Sequence, residues 1–585
     1  MTTQTPTGDV PGGVTLTAPS AGPLPDAATL ARWANELFSA VPGAPSPAQL
    51  GASLPSASLP SVPLPGASLP GVPLPGASLP SVPLPGVPSV PAIPAPAGLP
   101  AYDAPGFEGL AALVNAALPR LGAQDLTHPA LPPVPLAGRG GAPATGIPGS
   151  VAAAVPTFYF LQDQGVPALP RGYGHPAFDV PSIRRDFPIL ATRVHGRPLV
   201  WFDNAATTQK PNAVIDRLSY FYQNENSNIH RAAHELAARA TDAYEGARRQ
   251  VQRFLGAASA DEIVFVRGAT EAINLVAQSW GRKHISAGDE ILVSHLEHHA
   301  NIVPWQMLAL ERGAELRVVP VDSSGQLRLD EFQRLLTDRT KIVSIAHVSN
   351  ALGTVTPVQE VIELAHRAGA TVLIDGAQSV SHMPIDVKAL GADFFVLSGH
   401  KVFGPTGIGV LYGRQSVLED MPPWQGGGNM IEDVTFERSL YQRPPTRFEA
   451  GTGNIADAVG LGAALEYLTT IGMPNIERYE AQLLSYATEQ ILTVPGLEIV
   501  GTAAHKASVL SFVVDGLEPT AIGSALNQEG IAVRAGHHCA QPILRRFGHE
   551  STVRASLALY NTHEEVDALV CALHQLAASP TKAYR

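Results

Sequence analysis

The sequence predicts an α/β protein with a doubly wound, mostly parallel sheet from about residue 178 onward. Short runs of β-branched and aromatic residues alternate with stretches at helical spacing, which is the rhythm of βαβ units. The runs end abruptly in polar residues, as buried parallel strands do at their carboxyl ends. After about Thr446 the pattern changes to a long helix and two further strands, which indicates a smaller α+β domain.

The individual elements follow from this pattern in chain order. Strands are predicted at Ile263–Val266, Ile291–Ser294, Leu316–Val321, Ile342–His347, from Val372 and at Asp393–Leu397, then at Leu510–Val514 and Ile531–Arg534. Helices are predicted at Glu271–Trp280, Gln359–Ala368 and Ala458–Ile471. We therefore expect three regions, with bounds at 1–177, 178–445 and 446–585.

The first region has a different composition. It is dominated by Pro, Ala, Gly, Ser and Leu, and a ten-residue unit recurs from Ser56 to Pro85. Frequent prolines block helix and central strand, so we expect a disordered, polyproline-like extension. Three short apolar islands interrupt it, at Ala27–Val41, Phe107–Leu121 and Val155–Gln162. They suit docking to a partner surface, or alternatively fold back on the catalytic region or have no role.

Composition excludes several function classes. A net charge of −12 argues against a general nucleic-acid binder. Two cysteines, Cys539 and Cys571, cannot form a disulfide framework, which favours a reducing compartment. No secretory signal and no charge-free apolar run of membrane-spanning length is present. We expect a cytoplasmic protein without membrane or nucleic-acid partners.

The stretch from Val372 to Lys401 carries the main chemical signal. Asp375 ends one predicted strand, and Lys401 follows the next. A pyridoxal phosphate site needs a lysine for the Schiff base and a carboxylate that keeps the pyridine nitrogen protonated. Either residue alone is more often a helix cap or a solvated side chain. Together with Gln378 and the Ser398-Gly-His400 segment, they predict a site for this cofactor.

Two further segments suit the same cofactor. Gly268-Ala-Thr-Glu271 follows a strand and opens a helix, where backbone N–H groups and the Thr270 hydroxyl suit a phosphate. Ser398 and His400 would add phosphate donors. His298 follows another strand, and its ring could stack on the pyridine or pass protons. Taken alone, the adjacent His298 and His299 suggest metal binding or core packing equally well.

Cys539 is the second chemical signal. A nucleophilic thiolate requires cationic or dipolar neighbours, and Arg534, His537 and His538 precede it, with Gly536 permitting a turn on a mobile loop. The alternatives are a buried structural cysteine and a zinc ligand. Zinc would need further ligands, and Cys571 lies in an apolar helical pattern, so no metal is expected.

An electron-sink cofactor and a reactive thiol together define a short list of reactions. Cysteine as substrate would give its sulfur to Cys539, leaving alanine and an enzyme persulfide. Arg534 and Arg554 are cations for the substrate carboxylate, and Asn350 could bridge substrate and cofactor.

Short motifs in a fixed order along the chain carry a specific resemblance to a known family. They are D-N-A-A at Asp203–Ala206, N-I-H-R at Asn228–Arg231, E-H-H-A-N-I-V-P-W at Glu297–Trp305, V-S-N at Val348–Asn350, D-G-A-Q from Asp375, S-G-H-K from Ser398, G-P-T-G-I-G at Gly404–Gly409, P-P-W-Q-G-G-G at Pro422–Gly428, R-F-E-A-G-T at Arg447–Thr452 and R-A-G-H-H-C-A-Q-P at Arg534–Pro542. On these motifs, residues from about Phe178 to Leu573 closely resemble the Suf-type (group II) cysteine desulfurases. Those are fold-type I, aspartate-aminotransferase-like pyridoxal phosphate enzymes.

The resemblance implies a role for each matched residue. It makes Lys401 the Schiff-base lysine, Cys539 the persulfide-forming nucleophile and His298 the ring stacked on the cofactor. The other implied contacts are Asp375 and Gln378 with the pyridine nitrogen and phenolic oxygen, Thr270, Ser398 and His400 with the phosphate, and Asn350, Arg534 and Arg554 with the substrate. Thr452 would reach the phosphate of the second subunit in a homodimer.

Two positions depart from the family pattern. Ala269 stands where many relatives have a second threonine, which removes one phosphate hydrogen bond. Gly453 stands where proline is common, which would loosen the segment that carries Thr452.

The same resemblance extends to partners. Relatives pass sulfur to a SufE- or SufU-like acceptor in iron–sulfur cluster assembly, and some act on selenocysteine, so selenocysteine lyase activity is the main alternative. A non-catalytic scaffold on the same fold is the other. Residues 1–175 resemble in composition the loading domain of cysteine desulfurases packaged in family 2 encapsulin shells. This second resemblance implies a location inside such a nanocompartment, with sulfur either stored or delivered.

Overall fold

The computed structural model describes residues 178–230 and 233–578. The proline-rich region with its three apolar islands therefore lies outside the described residues. The strands are β1 Arg193–Val194, β2 Arg197–Pro198, β3 Val200–Trp201, β4 Ile263–Val266, β5 Glu290–Ser294, β6 Glu315–Val319, β7 Thr340–Ala346, β8 Thr371–Asp375, β9 Phe394–Ser398, β10 Gly409–Gly413, β11 Ile431–Val434, β12 Ser439–Tyr441, β13 Leu497–Val500, β14 Val509–Val514, β15 Ile531–Ala532, β16 Arg534–Gly536 and β17 Thr552–Ser556.

Helices occupy most of the segments between these strands. They are α1 Val180–Arg185, α2 Asn212–Asn224, α3 Glu235–Leu255, α4 Ala269–Val276, α5 Arg282–His284, α6 Val303–Arg312, α7 Leu329–Leu335, α8 Val358–Arg367, α9 Val387–Leu390, α10 Gln415–Asp420, α11 Ile455–Ile471, α12 Met473–Ile491, α13 Pro519–Gln528, α14 Gln541–Arg546 and α15 His563–Ala578. None of the helices in the described ranges is long and apolar enough to cross a membrane.

A seven-stranded sheet in the order β4-β10-β9-β8-β7-β5-β6 forms the centre of the fold. Strands β6, β5, β7, β8 and β9 pair in parallel, and β10 is antiparallel to both β9 and β4. The predicted α/β class with a mostly parallel sheet is confirmed. The antiparallel pairing of β10 was not predicted. Its sequence, G-V-L-Y-G, is a short apolar run like those of the parallel strands, and such a run does not reveal the direction of the strand.

Both faces of this sheet are buried. Successive residues of β9 alternate between two apolar clusters, with Phe395 and Leu397 in one and Phe394 and Val396 in the other. Side chains of a strand point alternately to opposite faces, so two buried faces require a continuous apolar run. The same arrangement brings the carboxyl ends of the parallel strands to one edge of the sheet, where binding sites of open α/β sheets lie.

A second, antiparallel sheet has the order β13-β14-β17-β16. Its apolar cluster joins residues of β14 and β17 to α12, α13 and α15, and it includes Val180, Val200 and Phe202 from the start of the described chain. Strand β3 pairs in parallel with β15. The helix α11 instead packs on α2 and α3. Elements from before residue 445 thus pack on the second sheet, and a helix from after it packs on helices of the larger region. The predicted boundary at residue 445 stays a prediction.

Most predicted elements are found with ends shifted by one or two residues. The predicted helix Glu271–Trp280 is the largest departure: α4 ends at Val276 and continues as a π-helical turn, Ala277–Gly281. An apolar pattern alone does not distinguish α from π turns, because a single wider turn barely changes the periodicity.

Candidate active site

Polar side chains gather at the carboxyl edge of the seven-stranded sheet. Asp375 is the last residue of β8, and Ser398 is the last residue of β9. Lys401 ends the short 3-10 turn Gly399–Lys401 that follows β9. Neighbouring parallel strands β8 and β9 therefore place the carboxylate and the amine at the same edge.

Lys401 is half-buried, and its ammonium makes no hydrogen bond or ion pair with any residue the structure describes. Burial lowers its pKa to about 8, while the negative charges of Asp375 and Cys539 act in the opposite direction. A substantial fraction of the amine is therefore neutral near pH 8, as a nucleophilic lysine requires.

Asp375 is a buried carboxylate with few compensating contacts. It accepts a hydrogen bond of 3.0 Å from the Ala377 N–H. Burial raises its pKa, and the nearby charge of Lys401 opposes that rise. A protonated pyridine nitrogen would supply the counter-charge that this carboxylate needs.

Gln378 is fixed one turn further along the chain. Its Nε2 donates a hydrogen bond of 2.7 Å to the carbonyl oxygen of Ala205. The contact orients the buried amide and leaves its second N–H hydrogen available for a ligand.

His298 lies just beyond β5 and is half-buried. Its Nδ1 accepts a hydrogen bond of 3.0 Å from the Ala300 N–H, which fixes the ring plane. Burial, followed by the charge of Lys401, lowers its pKa to about 3. The ring is therefore a neutral imidazole with its proton on Nε2, a form suited to stacking on an aromatic cofactor.

The expected phosphate residues meet at the start of α4. The Ala269 N–H donates a hydrogen bond of 2.9 Å to Ser398 Oγ, which holds that hydroxyl beside the first turn of the helix. Thr270 is the second residue of the same turn. Burial, with the charges of Lys401 and Lys210, lowers the pKa of His400 to about 4, so its ring is neutral. Helix N–H groups and hydroxyls in this arrangement suit an anion.

Lys210 was missed by the sequence analysis. Its Nζ donates to the carbonyl oxygens of Thr208 and His400, the latter at 3.2 Å. It thereby places a cation beside the expected phosphate end of the site. The signal was its position four residues after the Asp203–Ala206 motif, which by itself indicates no role.

Thr452 is the one predicted cofactor residue that stands apart. It is exposed on the loop after Glu449, and no hydrogen bond joins it to the other site residues within the described chain. Glu449 itself is bound by the buried Arg248 guanidinium at 2.7 and 3.0 Å and by the Phe265 N–H at 2.8 Å. The start of the Thr452 loop is therefore anchored firmly to β4, and its contact with a second subunit stays a prediction.

Cys539 lies on a tight turn after β16. His538 and Cys539 have φ values of 53° and 55°, a left-handed conformation that is uncommon for residues other than glycine. The Asn350 Nδ2 donates to the His538 carbonyl oxygen at 2.6 Å, and the His299 N–H donates to the Cys539 carbonyl oxygen at 2.8 Å. Gly536 also has a positive φ, 134°, so the turn combines this glycine with two non-glycine residues. Hydrogen bonds to the carbonyl oxygens of His538 and Cys539 hold it beside the segments that follow β7 and β5.

Arg534 and Arg554 face each other across strands β16 and β17. Arg554 is 2% exposed, and its guanidinium donates to the Asn350 carbonyl oxygen at 2.9 Å and to Asp203 Oδ1 at 3.0 Å. Its Nε and the side-chain oxygen of Asn350 are buried without hydrogen-bond partners in the described part of the chain. Such unsatisfied polar atoms indicate a place for a polar ligand, and a carboxylate matches the guanidinium.

Family comparison gives the decisive evidence. Residues 200–569 match the family described as aminotransferase class-V. The chain belongs to the aminotransferase class-V family. Pyridoxal phosphate is the cofactor of these enzymes, and the residues present fit it: a buried carboxylate with a single hydrogen bond from the described chain, an amine of lowered pKa, and anion-binding groups at a helix N-terminus.

The relatives share one name. A cysteine desulfurase of Synechococcus elongatus is 67% identical over 418 residues, or 71% of this chain and 67% of that protein. A cysteine desulfurase of Salmonella agona is 50% identical over 400 residues, or 68% of this chain and 98% of that protein. The crystal structure of a cysteine desulfurase from Escherichia coli superposes with a TM-score of 0.64 at 40% identity, over 68% of this chain and 98% of that one. The chain spans about two thirds of the length of the Synechococcus relative.

Metal binding is the remaining alternative at His298 and His299. Within residues 178–230 and 233–578, no group of three or more His, Cys, Asp and Glu side chains is arranged to hold a metal ion. Both rings have other contacts: His298 binds Ala300, and the His299 ring stacks on His537 at 5.8 Å.

Proposed function

We propose that this chain is a cysteine desulfurase that converts L-cysteine to L-alanine and keeps the sulfur as a persulfide on Cys539. The observation that carries the proposal is that Asn350 contacts both the Cys539 turn and Arg554. Its Nδ2 donates to the His538 carbonyl oxygen at 2.6 Å, and its own carbonyl oxygen accepts from the Arg554 guanidinium at 2.9 Å, which supports a thiol and a carboxylate-binding cation acting at one site. The names of the relatives support the same activity.

Binding and orientation of the substrate come first. Arg554 is held by Asp203 and Asn350, and its buried Nε–H, which has no partner in the described part of the chain, is available to a substrate carboxylate. Arg534, opposite it, adds a second cation. Because Arg554 is already buried and fixed, little conformational entropy is lost when the carboxylate binds.

Proton transfer and sulfur transfer follow. Pyridoxal phosphate, when bound, supplies an electron sink for the negative charge that develops on the substrate α-carbon. Lys401, with a pKa of about 8, is suited to take the α-proton and return it. The Cys539 thiolate attacks the substrate sulfur, an S–S bond forms and the C–S bond breaks. The carbon keeps that electron pair and takes up a proton, so one cysteine gives one alanine and one persulfide.

Product analysis tests this proposal. Purified protein incubated with L-cysteine and a thiol reductant should form alanine and sulfide in equal amounts. In a parallel incubation without reductant, alkylation followed by mass spectrometry should locate one extra sulfur on Cys539. Alanine formed only from selenocysteine would establish the selenocysteine lyase alternative. If neither amino acid gives alanine, the non-catalytic scaffold is the hypothesis that remains.

Finer assignments belong to the same proposal. We propose a Suf-type homodimer in which Thr452 completes the phosphate site of the other subunit and a SufE- or SufU-like protein accepts the sulfur. The exposure of Thr452, on a loop anchored by the Arg248–Glu449 ion pair, supports this. The assigned roles of Thr270, Asp375, Gln378, Ser398 and His400 rest on their places at the sheet edge.

We also propose that residues 1–175 load the enzyme into an encapsulin shell. The support is their composition, with sparsely charged, proline-rich spacers between apolar islands. Removing these residues should leave the turnover of cysteine within about twofold of the full chain, because the site residues lie between 203 and 554. The same deletion should abolish co-purification with a co-expressed family 2 shell protein. Shell association that survives the deletion would contradict the loading role.

A further inference from the structure

Glu297 is a fully buried carboxylate next to the site, and the sequence analysis gave it no role. Its side chain is 0% exposed. It accepts hydrogen bonds from Asn301 Nδ2 at 2.6 Å, from the Ala346 N–H at 2.9 and 3.1 Å, and from the Ser294 hydroxyl. Every described polar group that contacts it is thus a donor.

The direction of these hydrogen bonds is fixed by the other partners of the donors. The Asn301 side-chain oxygen accepts from Trp305 Nε1 at 3.0 Å and from the Ser344 hydroxyl, so its amide nitrogen must face Glu297. The Ser294 Oγ accepts from the Leu296 N–H at 3.0 Å, which directs its own proton to Glu297. Only an acceptor without a proton satisfies all of these groups, and an ionised carboxylate is that acceptor.

This one carboxylate joins three pieces of the site. It links the end of β5 to the 3-10 turn His299–Asn301, which directly follows His298 and holds Cys539 through the His299 N–H. It also binds Ala346, the residue of β7 that pairs with Asp375 of β8.

We propose that ionised Glu297 is a positioning residue that holds the His298 ring and the Cys539 turn in register with Asp375, and that its protonation releases them. The proposal deepens the desulfurase function and rests on it for its turnover readout alone. Glu297 itself does not reach substrate or cofactor in this account; it acts through the turn.

The electrostatic surroundings set the pH at which this happens. Burial raises the pKa of Glu297 to about 7, and the charge of Asp375 acts in the same direction, against the hydrogen bonds. The groups that contact it from β5, β7 and the turn are the uncharged Ser294 hydroxyl, Ala346 N–H and Asn301 amide. Trp305 of α6 and Ser344 of β7 bind Asn301, and the His298 ring is neutral. As pH falls through about 7, the carboxyl gains a proton that has no acceptor, so turnover should fall.

Stability should change in the opposite direction. A carboxyl group whose folded-state pKa lies above its ordinary value of 4.5 binds protons more tightly when the protein is folded. Its contribution to stability is therefore present at low pH and is lost as pH rises from about 4.5 to about 7. As pH falls, turnover should therefore decrease while the contribution of Glu297 to stability increases, and this pair of opposite trends identifies Glu297.

The test is a mutant cycle with a matched control. Glu297→Gln puts an amide N–H against donors and should lower kcat by about tenfold and remove the loss of turnover near pH 7. Asn301→Asp should be worse, because it buries two facing carboxylates. The double variant reverses the sense of the 297–301 hydrogen bond and should recover to within about threefold of wild type.

The control is Glu290→Gln, at the other end of β5. Glu290 is equally buried, but its partners are Arg317, Arg339 and Thr337, so its loss should lower stability without changing the pH profile. A readout independent of turnover is the thermal midpoint of the full-length protein. The midpoint of wild type relative to Glu297→Gln should fall as pH rises from about 4.5 to about 7 and should change little above that.

The outcomes separate cleanly. A Glu297→Gln variant with the wild-type pH profile, or a double variant no better than its parents, would overturn the positioning role. If wild type releases no sulfur from cysteine, the proposed function fails, yet the thermal midpoints still decide whether Glu297 behaves as described.

Discussion

Replacing Cys539 by serine should lower sulfide release from L-cysteine by at least about a thousandfold while the visible absorbance of the bound cofactor stays unchanged. Serine keeps the volume of the side chain and the left-handed turn, and the main-chain bond from His299 to residue 539 does not involve the sulfur. The hydroxyl cannot accept a sulfur atom as a thiolate does. Absorbance spectra and sulfide assays on the same preparation measure both effects.

Cys571→Ser is the matched control, since it removes the other cysteine of the chain from the exposed face of α15. It should release sulfide at the wild-type rate. Equal loss in both variants, or full activity in Cys539→Ser, would remove Cys539 from the reaction.

Replacing Lys401 by alanine should abolish turnover, by about a thousandfold or more, and should also remove the covalent attachment of the cofactor. No other described lysine lies at the same edge as the carboxyl end of β8 with an amine free of hydrogen bonds. Reduction with borohydride followed by peptide mapping should locate the cofactor on residue 401 in wild type and on no peptide in the variant.

Lys506→Ala is the control for this prediction. Burial also lowers the pKa of Lys506 to about 8, but its Nζ donates to the Gly501 carbonyl oxygen at 2.6 Å, within the second-sheet region. A lowered pKa alone therefore does not make the cofactor lysine. Cofactor attachment to residue 506, or its survival in Lys401→Ala, would contradict the assignment.

The sequence predicted the element types of the catalytic region well, because strands buried on both faces must be continuously apolar. Periodicity does not specify partners, so the antiparallel β10 and the packing of Val200 against the second sheet could not be foreseen. The abrupt polar ends of β8 and β9 revealed Asp375 and Lys401. Glu297 carries no such signal, since a buried carboxylate is recognised only by the donors around it.

Other site features depend on tertiary structure in the same way. Asp203 holds Arg554 although the two residues are 351 positions apart. Lys210 meets His400 only after the chain folds back on the sheet. Neither pairing leaves a local pattern, whereas the Cys539 segment was recognisable because its neighbours in sequence are also its neighbours in space.

The pairing of β3 with β15 has a consequence for how this protein can be cut and joined. Strand β3, near the start of the described chain, is a structural part of the last third of the chain, since Trp201 pairs with Ala532, seven residues before Cys539. A gene divided at residue 445 would therefore yield two fragments, each exposing apolar residues that are buried in the whole chain. Neither fragment could be transferred to another protein as an independent domain. Additions before residue 178 leave the pairing of β3 with β15 intact. New sequence can therefore be appended on the amino-terminal side without disturbing the catalytic region.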